Sequence, residues 1–106
     1  MSSERRSAPR TRVDLLANQY IDGVPHLADV LELSMTGALV RRMQAPDEDR
    51  AGYALEVAGE GGTEPIWLCA SSVWRVGDFE AVRFVEMAAV DRLRLAGVLA
   101  ESKRAA

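Results

Sequence analysis

The chain has 106 residues and a net charge of −3, with 48% hydrophobic and 27% charged residues, a balance that predicts one globular domain with a modest core and excludes a disordered chain. An acidic chain is not built to coat nucleic acid. No apolar run is long enough to span a bilayer and no signal peptide is visible, so no membrane insertion is expected, and the one cysteine, Cys69, excludes an internal disulfide and fits a reducing cytoplasm.

Residues 1–12 are polar and carry Arg5, Arg6, Arg10 and Arg12. They read as a flexible arginine-rich tail ahead of a single domain over 13–106. Residues 13–21 form the first predicted strand, closed by Asp22-Gly23, a hairpin dipeptide. Residues 26–33 and 38–42 are the second and third, joined tightly through 34–37. Residues 45–52, with Pro46 and four charges, form a loop. Tyr53, Leu55 and Val57 then alternate with Ala54, Glu56 and Ala58, the period of a half-buried strand. The glycine-rich 59–65 loop lacks the lysine and following hydroxyl of a phosphate-cradling loop. A long strand over 66–76, bent near Ser71-Ser72, turns at Gly77-Asp78 into 79–86. Trp67 and Cys69 share one face of it and read as packing. Six short strands at this spacing predict a mainly β chain, a small six-stranded antiparallel barrel with a C-terminal α-helix.

That helix covers 88–104, with Asp91 in the first turn and Lys103 and Arg104 in the last, both favourable to its dipole. Val90, Leu93, Gly97 and Ala100 fall on one face, the predicted seat on the barrel. Leu95 and Leu99 fall almost opposite, near Val98. A loop covers that second face, or it is the contact surface for a second copy or a partner protein. With no segment outside this frame, the chain reads as a free-standing domain.

Two patterns carry chemistry. The first is Arg5-Arg6-Ser7-Ala8-Pro9-Arg10, just before the first strand; the second is Glu32-Leu33-Ser34-Met35-Thr36-Gly37, at the junction of two apolar runs. A planar guanidinium makes paired hydrogen bonds to phosphate and to guanine. An acid, a hydroxyl and a glycine on one turn suit the polar edge of a purine and a close backbone approach. Together they point to an anionic, guanine-containing ligand. No His, Cys and Asp cluster at metal spacing, no nucleophile with a candidate base and no phosphate loop is present, so neither an enzyme, a metal nor a cofactor is expected. His26 has no partner as acid, base or ligand.

The order and context of the two patterns resemble the PilZ domain family, receptors for the bacterial second messenger cyclic di-GMP. The family pattern is Arg-x-x-x-Arg, then Asp or Asn-x-Ser-x-x-Gly. Arg6 and Arg10 match the first part, with Arg5 as the frequent extra arginine, and Ser34 and Gly37 match the second. Glu32 stands where Asp or Asn is usual. Ser72-Val73-Trp74-Arg75-Val76 and Ala81-Val82-Arg83-Phe84 are similar to the family's late strand pair, and a helix follows them. The resemblance implies that Arg6 and Arg10 hold a phosphate and the N7/O6 edge of a guanine, the tail folding over the ligand. Ser34 donates to a ligand oxygen or braces the turn. Gly37 supplies a positive φ or lets the ligand approach the backbone. Glu32 accepts N1–H and N2–H of guanine from a side chain about 1.5 Å longer than Asp. Trp74 stacks on a base or belongs to the barrel. The function implied is a stand-alone bacterial receptor that binds cyclic di-GMP and signals to a downstream protein or through a homodimer formed by the C-terminal helix. The alternative is a degenerate member that binds no nucleotide and works through protein contacts.

Overall fold

The computed structural model describes residues 9–59 and 63–105. The turn dipeptides set its pairing. Asp22 and Gly23 both take positive φ, 53° and 82°, as a two-residue type I′ hairpin demands. They join β1, Thr11–Ile21, to β2, Val24–Leu33. β3 is Gly37–Arg42, β4 Gly52–Val57, β5 Ile66–Val76 and β6 Phe79–Glu86. All neighbours are antiparallel, and the sheet closes in the order β1-β2-β3-β6-β5-β4. The predicted six-stranded barrel is what forms. β1 starts at Thr11, so Thr11 and Arg12 lie in the strand, paired with Leu33 and Glu32; β2 starts two residues earlier than predicted and takes in Pro25.

Alternation supplies the core. Leu15, Ala17, Val30, Leu33, Val40 and Val82 are buried inside the barrel, as are Leu55, Val57, Ile66 and Leu68. Each buried aliphatic side chain contributes roughly 1.5–3 kcal/mol. Near the predicted bend at Ser71-Ser72 the β5–β6 pairing shifts register twice, through an extra residue Val73 in β5 and an extra residue Val85 in β6. Trp67 and Cys69 are exposed on the outer face, where the Trp67 ring tilts against Tyr20 at a centroid distance of 5.3 Å. Trp67 packs externally and Cys69 is simply exposed, because both alternate with Ile66 and Leu68, which take the inside.

Helix α1, Ala89–Ala105, corrects the predicted seat. Leu95 and Leu99 are buried against the barrel core, with Val98 packed beside them. Val90 and Leu93 face outward, Leu93 at 74% exposure, and nothing lies within reach of a side chain placed at Gly97. Leu95 and Leu99 are therefore closed to a second copy or partner, and Val98 is half-buried beside them. The reason lies in the stripe Asp91, Leu95, Leu99 at i, i+4 and i+8. It looks interrupted because Asp91 is polar, yet Asp91 is itself buried. Its Oδ1 accepts the Trp67 backbone N–H at 2.9 Å, beyond the last β5–β6 pair at Cys69 and Glu86. A strand donor with no strand partner needs this acceptor, and the bond fixes which helix face turns inward.

Candidate functional site

The turn between β2 and β3 is built by Ser34, which is 4% exposed. Its Oγ accepts the N–H of Thr36 and of Gly37, both at 3.1 Å. Its own N–H donates to the Gly37 carbonyl at 2.9 Å, and the Phe84 N–H donates to the Thr36 carbonyl at 2.8 Å, tying the turn to β6. Ser34 is thus the brace of the turn. Gly37 has no positive φ. A Cβ there would collide with the Val82 carbonyl oxygen, so what requires glycine is the close approach of the β6 backbone.

Two bulges decide which side chains face outward next to this turn. Leu31 is an extra residue between the pairs Val30↔Val40 and Glu32↔Leu39. Val73 is an extra residue between Ser72↔Val82 and Trp74↔Ala81. An inserted residue shifts the inside-outside alternation by one. Without Val73, Trp74 would point into the core; with it, the indole stands outside at 46% exposure. The register then continues across five strands: Arg12↔Glu32, Glu32↔Leu39, Leu39↔Ala81, Ala81↔Trp74. Paired residues share a face, so Glu32 and Trp74 lie on one outer row, about 14 Å apart at three strand spacings.

Arg10 Nη1 lies 3.5 Å from Glu32 Oε1, with 59% and 30% of the two side chains exposed. Sequence-predicted Arg10, Glu32, Ser34, Gly37 and Trp74 thus meet on or beside one surface. Arg5 and Arg6 lie outside the described residues. Arg12 and Arg83 have no ionic partner among the described residues, and Arg83 sits on β6 in register with Gly37. Sequence reasoning does not single it out, because the pairing of β3 with β6 joins residues far apart in the chain. Arg41, on the outer face, and Arg42, turned the other way, bind Asp29 and Asp49 at 2.7 Å each.

A second polar cluster lies inside the barrel. Gln19 Nε2 donates to the Tyr53 hydroxyl at 2.8 Å and to Glu80 Oε1 at 3.0 Å. Arg75 Nε is 3.2 Å from Glu80 Oε2, an attraction of charges without hydrogen-bond alignment. Burial, and then the Glu80 charge, push the Tyr53 phenol well above its ordinary pKa. His26 Nδ1 meets the Val24 carbonyl at 2.9 Å. Among the described residues, no three His, Cys, Asp or Glu side chains converge as metal ligands, and no helix is long and apolar enough to cross a membrane.

No family model matches the chain, and no curated protein does. Solved structures do. The PilZ domain of YcgR from Escherichia coli, solved with c-di-GMP, superimposes with a TM-score of 0.73 at 17% identity, over 95% of this chain and 93% of that one. The chain has a PilZ-like fold. The Bacillus subtilis inhibitor of motility, MotI/DgrA, superimposes with a TM-score of 0.73 at 19% identity, over 95% of this chain. This chain spans about half of that protein, 52% of its length. At these identities the PilZ-like likeness is one of fold. The barrel, its strand order and the helix that follows β6 are shared; the chemistry of the outer face rests on this chain's own residues.

Proposed function

We propose that this chain is a PilZ-type receptor that binds cyclic di-GMP and passes the signal to a partner protein, without a catalytic step of its own. The observation that carries the reading is the outer row that joins Arg12 and Glu32 to Trp74, beside the turn braced by Ser34. The bound c-di-GMP in the YcgR domain supports the ligand class.

In the free protein Arg10 and Glu32 hold each other across 3.5 Å. An exposed pair of this kind contributes about 0–1 kcal/mol. A charge-assisted hydrogen bond to a ligand contributes about 1.5–3 kcal/mol, so exchange favours the nucleotide. Glu32 then accepts N1–H and N2–H of a guanine, and the released Arg10 turns to a phosphate or to the N7/O6 edge. Arg5 and Arg6 add to this charge. Trp74 offers a face on which the second base stacks. Ser34 and Gly37 act at one remove, by holding Glu32 and β6 where the ligand needs them.

The output is a change of surface. A contact with a partner or second copy through α1 uses the outward face of Val90 and Leu93. The ligand is a bacterial intracellular messenger, which places the protein in the cytoplasm. Calorimetric titration of cyclic di-GMP into the full chain tests the reading: wild type binds, and Arg10→Ala binds at least about tenfold more weakly. No heat with wild type, or equal affinities for the two, overturns it.

A further inference from the structure

The outer face beside the β2–β3 turn holds a cation that the reading above does not use. Arg83 is exposed on β6, and its register partners are Gly37 on β3 and Ser71 on β5. Along β6 it is followed by Ala81 on one side and, on the other, by the extra residue Val85, which turns Glu86, the register partner of Cys69, to the same outer face. Gly37 carries no side chain to lie over the strand. Even with Glu86 on this face, the guanidinium makes no ion pair among the described residues.

Exposed arginines are often simply solvated. Two comparisons within the molecule set Arg83 apart. The other outward arginine of the β3–β6 pair, Arg41, binds Asp29 at 2.7 Å. The inward-facing arginines Arg42 and Arg75 reach Asp49 and Glu80. Arg12 and Arg83 are the strand arginines left without a carboxylate among the described residues, and they flank the braced turn. They stand on β1 and β6, three strand spacings across and two residues along, about 16 Å apart in all. Between them the outer face offers Glu32, Leu39 and Gly37. In a chain of net charge −3, two guanidiniums without ion pairs on one face attract an anion.

We infer that Arg83 is a further ligand contact, holding the phosphate of the dinucleotide that lies farther from Arg10. This rests on the cyclic di-GMP reading. A ligand with two phosphates has an anionic group for each side of the shelf, and a guanidinium fork matches phosphate oxygens in pairs. Arg10 takes one side; Arg83, fixed on a barrel strand that is paired on both edges, takes the other.

The test is calorimetric titration of the full chain with cyclic di-GMP in four forms: wild type, Arg10→Ala, Arg83→Ala and Arg83→Lys. Arg83→Ala binds about tenfold more weakly or worse, and Arg83→Lys, which keeps the charge but not the fork, falls between it and wild type. The thermal unfolding midpoint of both Arg83 variants stays near the wild-type value, since the side chain makes no hydrogen bond or ion pair among the described residues. If wild type binds and Arg10→Ala weakens while Arg83→Ala does not, this inference falls and the receptor reading stands. A loss in Arg83→Ala that is matched by a lowered unfolding midpoint also overturns it. No binding by wild type overturns both.

Discussion

The arginines around the β3–β4 loop and those beside the β2–β3 turn behave in opposite ways. At the loop, Arg42 binds Asp49, Arg50 binds Asp22 and Glu48, and Arg75 reaches Glu80 and the Arg50 carbonyl. Each charge there is answered within the chain, and Arg50 titrates above its usual range, mainly because of its bond to Asp22. At the turn, Arg10 meets one carboxylate at a long 3.5 Å, and Arg12 and Arg83 meet none among the described residues. A positive patch in an acidic protein is a site only where its charges are left unanswered. The count of arginines does not locate the ligand; the accounting of their partners does.

Breaking the answered region has the largest expected effect. Glu80 is 1% exposed and faces both Arg75 and Gln19. Glu80→Ala leaves a partly buried guanidinium and an amide donor without their acceptor, at a cost of about 3 kcal/mol. The unfolding midpoint falls by roughly 10 °C or more, while affinity for cyclic di-GMP, measured well below that midpoint, stays within about twofold of wild type (~0.4 kcal/mol). A collapse of affinity with an unchanged midpoint shows that the two regions are not separate.

Ser34→Ala probes the other region through its frame. The N–H groups of Thr36 and Gly37 lose their acceptor, costing about 1–2 kcal/mol. Stability and affinity fall together here, because Glu32 is two residues from the brace. Thermal unfolding and calorimetry on the same variant check this, and a loss confined to affinity marks Ser34 as a ligand contact and not a brace.

How much of this contrast is legible in sequence follows from how local each cause is. The Asp22-Gly23 hairpin and the alternation of Leu55 and Val57 are local, and they suffice for the barrel. The motif residues Arg10, Glu32, Ser34 and Gly37 are legible as types at a spacing. Their roles divide only in the structure: Ser34 turns its oxygen to its own turn, and Gly37 answers the Val82 carbonyl. The outer row is hidden, because the extra residues Leu31 and Val73 shift the phase of their strands and because β3 pairs with β6 across a long stretch of chain. The seat of α1 is hidden behind Asp91, a polar residue whose burial depends on the Trp67 N–H. Partners of charge are three-dimensional facts, so Arg83 reads as any other arginine until its neighbours are placed.

The interior of the answered region also predicts a pH response. Tyr53 keeps its proton in the folded protein to a higher pH than in the unfolded chain. The stability this contributes is complete below the unfolded value near 10 and is lost as pH rises through the folded one. One proton corresponds to about 1.4 kcal/mol per pH unit in that window. Tyr53→Phe loses the hydroxyl that Gln19 reaches at 2.8 Å, about 1 kcal/mol at neutral pH, but its midpoint declines less steeply above pH ~10. Parallel declines for wild type and variant in denaturation scans would show that Tyr53 is not the group responsible.

The smallest change sharpens the unanswered region. Glu32 is the acid longer than the resemblance leads one to expect, and in the free protein it spends its length on Arg10. Glu32→Asp draws the carboxylate back by about 1.5 Å. A contact already at 3.5 Å does not survive that. The loss is small, since an exposed pair contributes 0–1 kcal/mol at most, so the unfolding midpoint stays near wild type. Arg10 is released before the ligand arrives, and the acceptor pair sits closer to the strand held by the Ser34 turn. Cyclic di-GMP therefore binds more tightly, by about threefold, a gain of roughly 0.6 kcal/mol. Weaker binding in this variant means that the extra residue Leu31, by tilting the end of β2, has already set the strand for the longer acid; the Arg10–Glu32 contact is then a feature that ligand binding preserves and not one that it replaces.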